Sequence, residues 1–423
     1  MKQSFSLLFF TAWALLHTGS GRDLRTVTEP KNPPICTTLK PSSADETKMI
    51  QNALHSCAKG KAVALSSGVF TSGSLVIPSG VSLLIDKGAT LRASTNPKLF
   101  DRGTNTCGTV DNSGGGCKPL IAISGATGSG VYGKGTIDGG GNSKLTGSSM
   151  TWWDLSSKAL AENKAQNNPK MILINNSRDI TLYQITVINS PYFHIQSRQT
   201  FGFTVWGVTI NTPSSTRNTD GIDPTGSMNV TIAHCSISTG DDNIAISSQY
   251  AASKYISVFN NHFGHGSSMG IGSGTTFGVS DVTVTNLTMD NIRFGLYIKS
   301  NTENGGLVTN VTYNNVCIYD SPKPIVVDMH IARNPKNHTP EFNNIYFNNI
   351  NVLTKGNFVF RGISKSNMVQ VALKNVHIIK GSKWSVTNAK IDGTWTEDAS
   401  SKSCTNPASE YLINNKNNFD LST

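Results

Sequence analysis

One phrase recurs through the middle of the chain, and it leaves few folds open. Asp179-Ile-Thr-Leu-Tyr-Gln-Ile-Thr-Val, Phe201-Gly-Phe-Thr-Val-Trp-Gly-Val-Thr-Ile and Asn229-Val-Thr-Ile-Ala-His-Cys-Ser-Ile share one template. So do Tyr255-Ile-Ser-Val-Phe-Asn-Asn-His-Phe, Asp281-Val-Thr-Val-Thr-Asn-Leu-Thr-Met and Val311-Thr-Tyr-Asn-Asn-Val-Cys-Ile. Each reads apolar-x-apolar, a short turn, then a second apolar strand, and further copies start at Asn344 and Val369. The spacing, from the low twenties to about thirty residues, is that of a solenoid whose coils stack and bury each other's core. Several copies place Asn at the turn, where stacked Asn side chains can bond along the axis. The expected fold is all-β: a parallel β-helix of eight or more coils.

Two carboxylate clusters interrupt this pattern. Asn218-Thr-Asp220, with Asp223 behind it, and Gly240-Asp241-Asp242-Asn243 flank a single strand-like run. Asp220 and Asp241 are one coil apart, so stacking sets Asp220 over Asp241 and Asp242, with adjacent strands about 4.8 Å apart. Carboxylates that close push their pKa values apart, and one keeps its proton while the others hold a water. Asp, Asn and Gly also mark turns, so either cluster alone reads equally well as a corner. Together, at one coil's separation, they point to acid–base hydrolysis of a glycosidic bond.

The first 21 residues have the make-up of a secretory signal: Lys2, an apolar Phe5–Leu16 run and Gly19-Ser-Gly. The run is too short to span a bilayer, and residues 22–423 are then one exported domain with no membrane partner. The net charge of +10 is spread without a basic block, which suits a polyanionic partner but gives no nucleic-acid motif. Cys36–Cys57 and Cys107–Cys117 are expected disulfides, each closing a short segment. Cys235 and Cys317 fall in strand-like runs and read as buried thiols, leaving Cys404 as the odd one. No Cys/His spacing suggests zinc, and no metal or cofactor is expected. Ser43-Ala-Asp-Glu46 is a capping-box pattern opening a helix to about Cys57, a cap for the first coil. Trp152-Trp153 begins a partly helical excursion to Asn168, of the kind that walls a cleft. The tail, Ser382 to Thr423, is polar and Asn-rich and is expected either to pack over the last coil or to be partly loose.

At these residues the chain resembles the polygalacturonases, glycoside hydrolase family 28, and looks nearest to the bacterial endopolygalacturonases. The resemblance rests on Asn218-Thr-Asp-Gly-Ile-Asp-Pro, Gly240-Asp-Asp-Asn, Tyr132-Gly-Lys-Gly-Thr-Ile-Asp-Gly, Asn189-Ser-Pro-Tyr-Phe-His and Lys323-Pro-Ile-Val, and covers nearly all of the chain after the signal. It implies a right-handed β-helix and inverting hydrolysis of α-1,4-galacturonosidic bonds in pectin by a secreted monomer. Asp241 is then the general acid, Asp220 and Asp242 position the water, and Asn218 and Lys299 contact substrate. Inversion implies carboxyl groups about 6.5–9.5 Å apart.

Three positions depart from the family. Anchoring on Met269 and Ile271-Gly-Ser puts Ser267 where a histidine is usual, with His265 two residues early. Tyr297 replaces the arginine of an Arg-Ile-Lys motif, and Ile331 a tyrosine. His265, Ser267 and Tyr297 therefore join the substrate-contact candidates. Exchanging a bidentate carboxylate clamp for a flat ring suggests a shifted preference, towards xylogalacturonan or a rhamnogalacturonan. The competing readings are a non-catalytic pectin-binding homologue and a Ca²⁺-dependent lyase, in which the aspartates would hold the ion.

Overall fold

The computed structural model describes residues 22–42, 44–331 and 336–399. They form a right-handed parallel β-helix, and every pairing between its long strands is parallel. The signal segment and Cys404 lie outside the described residues.

Successive coils lay down parallel sheets. One runs from Ile35–Leu39 to Ala389–Asp398; the sheet carrying the candidate site runs from Leu75–Val76 to Lys383–Thr387. In the site sheet Ile172, Ile195, Ile222, Ile244, Met269, Leu296 and Ile325 stand in register, one per coil. Each is fully buried, in one apolar column that extends from Ile50 to Ile378. Burying a side chain of this size contributes about 1.5–3 kcal/mol, so the stacking dominates stability.

The corners explain the Asn-rich turns. Asn260, Asn286, Asn315, Asn349 and Asn375 all have φ between 52° and 56°, a left-handed conformation that Asn tolerates better than most residues. Their amides bond up the axis: Asn286 donates to Asn260 at 2.9 Å, Asn315 to Asn286 at 2.7 Å and Asn375 to Asn349 at 2.8 Å. In the later coils this lets one long strand turn the corner unbroken, as in Val279–Asp290 and Gly306–Tyr319.

The N-terminal end is closed by α1 (Thr47–Ser56), which buries Ile50 and Leu54. Gln51 completes the cap. Its Nε2 donates to the Val76 carbonyl and its Oε1 accepts from the Val76 N–H, both at 2.8 Å, so one side chain satisfies the edge of the first site-sheet strand. Ser43, the first residue of the expected capping box, lies outside the described residues. Glu46 is itself the N-cap residue and its carboxylate accepts from the Ser42 N–H at 2.6 Å, while Asp45 Oδ1 accepts from the Thr47 N–H. The excursion after Thr151 is α2 (Trp152–Ala161), and there a reciprocal box between Thr151 and Asp154 is present.

Both expected disulfides are present, and Cys235 is a buried free thiol. Cys317, expected as a thiol, is instead disulfide-bonded. Its strand pattern correctly placed it in a coil but carried no information about its bonding state. The start of the tail takes the first of its two expected forms and packs on the last coil as strands: Lys383–Thr387 and Ala389–Asp398 add another turn of the solenoid. There Trp384 stacks on Phe358 at 4.8 Å and meets Trp395 at 4.2 Å with the rings tilted by 32°.

Candidate active site

The turns that enter successive site-sheet strands line up and carry the polar residues. Asp220 precedes Ile222–Thr225, Asp241 and Asp242 precede Ile244–Ile246, Ser267 precedes Met269–Ile271, and Arg293 precedes Leu296–Lys299. Backbone bonds hold the column. Gly221 donates to Asp242, Ser267 to Asp241 and Phe294 to Ser267, at 2.7–2.9 Å. Two glycines let the turns approach: a Cβ on Gly240 would collide with the Thr216 carbonyl, and one on Gly221 with that of Asn243. The motif's Thr219 and Asn243 serve structure. Thr219 Oγ1 accepts from the Gly240 N–H at 3.0 Å, and the Asn243 amide donates to the carbonyls of Ile237 and His265.

Stacking brings the expected carboxylates together. Asp220, Asp241 and Asp242 each place an oxygen within 4.8 Å of the other two. That is tighter than the expected inverting separation, although nearest oxygens are a shorter measure than carboxyl centres. Asp242 is the most firmly held: Lys299 Nζ donates to Oδ2 at 2.8 Å and Ser268 Oγ to Oδ1 at 2.6 Å. Asp241 is the most open, accepting from the Asp242 N–H at 3.0 Å and, weakly, from Asn218 Nδ2 at 3.5 Å. Three such oxygens would also suit a divalent cation, but the Lys299 ammonium already supplies positive charge at Asp242.

Burial, then the charge of Asp242, push the Asp241 carboxyl above the usual range, while Lys299 and Arg293 pull it back. Asp220 is pushed up further, by burial and by Asp223, Asp241 and Asp242 in turn. Asp223, buried beneath, is raised by burial and Asp242. Lys299 is raised: burial is the largest influence and opposes its charge, but the charge and hydrogen bond of Asp242, with Tyr297 and Asp241, together outweigh it. The cluster therefore retains protons where isolated carboxylates have lost them, which a proton donor requires.

The other expected residues separate. Lys299 is in the site, and Tyr297 presents its ring beside it, with Lys299 Nζ 4.8 Å from the ring centre and Phe294 stacked at 4.7 Å. Ser267 is buried beside the carboxylates, its N–H donating to the Asp241 carbonyl and its hydroxyl accepting from Arg293. His265 does not reach the carboxylates: its Nε2 donates to the Thr212 carbonyl at 2.8 Å.

Sequence reasoning missed two residues. Arg293 Nη2 donates to Ser267 Oγ at 2.7 Å and to the Gly240 carbonyl at 3.1 Å, bringing a guanidinium beside Asp241. The buried His194 donates from Nδ1 to the Asp220 carbonyl at 2.9 Å, and Nε2 accepts from Thr212 Oγ1 at 2.8 Å. Burial lowers its pKa to about 4, so it is a neutral brace for the Asp220 turn. Its place in Asn189-Ser-Pro-Tyr-Phe-His was quoted for resemblance, but nothing in the motif says what the ring touches.

Three carboxylates crowded on one face of a parallel β-helix, with ammonium and guanidinium groups alongside, define an acid–base enzyme acting on a carbohydrate. The model of the glycosyl hydrolases family 28 matches residues 58–411, and the chain belongs to that family as a glycoside hydrolase. It is 46% identical over 374 residues to an endo-polygalacturonase of Pectobacterium carotovorum subsp. carotovorum, covering 87% of this chain and 93% of that one. It is 36% identical to a polygalacturonase of Ralstonia solanacearum over 79% of this chain and 73% of the relative. The solved polygalacturonase from Erwinia carotovora ssp. carotovora superposes with a TM-score of 0.85 at 45% identity, over 88% of this chain and 100% of that one.

Proposed function

We propose that this family 28 hydrolase cleaves the α-1,4-galacturonosidic bonds of pectin with inversion. Asp241 donates its proton to the glycosidic oxygen, and Asp220 and Asp242 orient and deprotonate the attacking water. The convergence of Asp220, Asp241 and Asp242 within 4.8 Å carries this reading. Asp241 suits the acid: it is the most open of the three, and burial and Asp242 keep its proton on. Asp242 suits the water-holding role because Lys299 and Ser268 fix both its oxygens. Lys299 keeps N–H groups for a substrate carboxylate, as Lys ammonium has three donors.

The names borne by the nearly half-identical relatives support galacturonan as substrate. The Arg293 guanidinium beside Ser267 and Asp241 weighs against a non-catalytic homologue, because the cleft regains a cation at the departed positions. Export rests on residues 1–21, and a secreted, monomeric enzyme acting outside the cell is the corresponding reading.

The test incubates wild type and Asp241→Asn with polygalacturonic acid, xylogalacturonan and rhamnogalacturonan, reading reducing ends and product masses. Saturated oligogalacturonates from polygalacturonic acid with wild type alone are expected. Ultraviolet-absorbing unsaturated products would instead mean elimination, and products only from a decorated polymer would mean a changed substrate.

A further inference from the structure

The outward-facing column of the site sheet loses its charge beyond the carboxylates. Ala245, Gly270, Tyr297, Val326 and Val359 stand in register there, one per coil. Their chain neighbours Ile244, Ile246, Leu296 and Ile298 fill the core, so strand alternation turns the column outward as the floor of the cleft. None of the five is charged. Gly270 leaves the floor bare next to Asp242: a Cβ there would stand 3.4 Å from Asp242 Oδ2. Tyr297 comes next, half-buried, with the half-buried Phe294 stacked on its ring at 4.7 Å and 23°.

The cations beside this floor are already engaged. Lys299 Nζ donates to Asp242 and lies 4.8 Å from the Tyr297 ring centre. Arg361, two coils further on, directs its fork at Asp328, Nε to Oδ1 at 2.8 Å and Nη2 to Oδ2 at 2.6 Å. Lys323 Nζ lies 5.1 Å from the Phe294 ring centre. A free carboxylate is recognised best by an open guanidinium fork. Here Asp328 closes the fork, and a substrate meets one shared ammonium beside an aromatic ring. Those two groups match the two halves of a methyl ester. Lys299 has three N–H donors, and an ester carbonyl accepts one of them as a carboxylate oxygen does. A guanidinium clamp rejects the ester because a donor is left unpaired, whereas the ring gives the methyl group an apolar surface.

We propose that Tyr297, held by Phe294, is a specificity-determining residue: it lets the cleft accept a methyl-esterified galacturonate on the Tyr297 side of the bond to be broken. The sugar's C6 carbonyl takes a hydrogen bond from Lys299, and its methyl group lies against the ring. This rests on galacturonan being the substrate.

The test compares wild type with Tyr297→Arg on an unesterified galacturonate oligomer and on a partially methyl-esterified one of the same length. Tandem mass spectrometry of the products reads whether the residue at each new chain end carries an ester. With wild type, ester is expected at the new ends formed on one side of the cleaved bond. Tyr297→Arg puts a guanidinium on the floor and should remove ester from those ends. Its kcat/KM for the esterified oligomer, relative to the unesterified one, should fall roughly ten-fold. Circular dichroism checks folding, and Tyr297→Lys stands in if the Arg variant fails to fold. Free acid at both new ends with wild type, or an ester distribution unchanged by Tyr297→Arg, would overturn the proposal. A wild type that cuts neither oligomer would overturn the proposed hydrolysis instead. Calorimetry then decides the role of Tyr297: comparable affinity for the two oligomers supports it, and binding of the unesterified one alone overturns it.

Discussion

Arg293 and Ser267, one coil apart, are joined by a 2.7 Å hydrogen bond from guanidinium to hydroxyl, and the same nitrogen reaches the Gly240 carbonyl next to Asp241. The family resemblance led us to expect a loss of polar contacts at Ser267 and Tyr297. A cation from the turn one coil further on, Arg293, occupies the space beside Ser267. Its charge holds the Asp241 carboxyl lower than burial alone would set it. The acid proposed here must be protonated, so the alkaline limb of the pH–rate profile should follow the Asp241 pKa. Arg293→Met is expected to move that limb to higher pH and to lower kcat/KM by about ten-fold; Arg293→Lys should restore the limb. An unmoved limb in Arg293→Met would remove Arg293 from the proton-donating system.

Asp241→Asn removes the proposed acid while preserving shape. General acid catalysis is worth about 10²–10⁴-fold, and a fall in kcat of that size on polygalacturonate is expected with little change in KM. A leaving group that needs no proton, such as an aryl galacturonide, should recover most of the rate. Equal losses on both substrates would argue that Asp241 does not donate the proton.

The stereochemistry is open to direct observation. Inversion of an α-linkage releases a β-anomer first, and proton NMR during the first turnovers should show it before mutarotation. Asp220, Asp241 and Asp242 place oxygens within 4.8 Å of one another, so direct attack by a carboxylate is the outcome to test against. Initial α-anomer would mean that Asp220 or Asp242 attacks carbon directly.

Asp223 tests the electrostatic cost of the site. It is buried, its Oδ1 has no hydrogen-bond partner, and burial followed by Asp242 raises its pKa well above 3.8. A raised folded-state pKa contributes stability below the unfolded value that is lost as pH rises through the folded one. Asp223→Asn should therefore melt like wild type below pH 3.8 and higher at neutral pH, by about 1–3 °C. Calorimetry across that range checks it, and a gain confined to acid pH would contradict the direction.

Cys36–Cys57 tethers the α1 cap across 21 residues. Loop-closure entropy for that length is about 3 kcal/mol. A Cys36→Ser/Cys57→Ser variant should lose roughly that in denaturant titration, with kcat intact because the site lies many coils away. A fall in kcat at full folding would show that the cap reaches the cleft.

The repeat and the pairing of the aspartates were legible because both are local. Strand alternation and coil length are written in consecutive residues, and a 21-residue separation places Asp220 over Asp241 in any stack of such coils. What lies beside them was not local. Arg293 reaches Ser267, Lys170 meets Arg198 at Gln196, and His194 braces Asp220, each across a coil boundary whose register depends on the lengths of the intervening turns. The Gln51 amide that seals a strand edge reads in sequence as one more polar helix residue, and Cys317 as one more strand cysteine. Sequence by itself determined the β-helix and its three carboxylates. Only the tertiary structure decided which charges surround them, because electrostatic partners are set by distances of a few ångströms between coils, and no single coil encodes those.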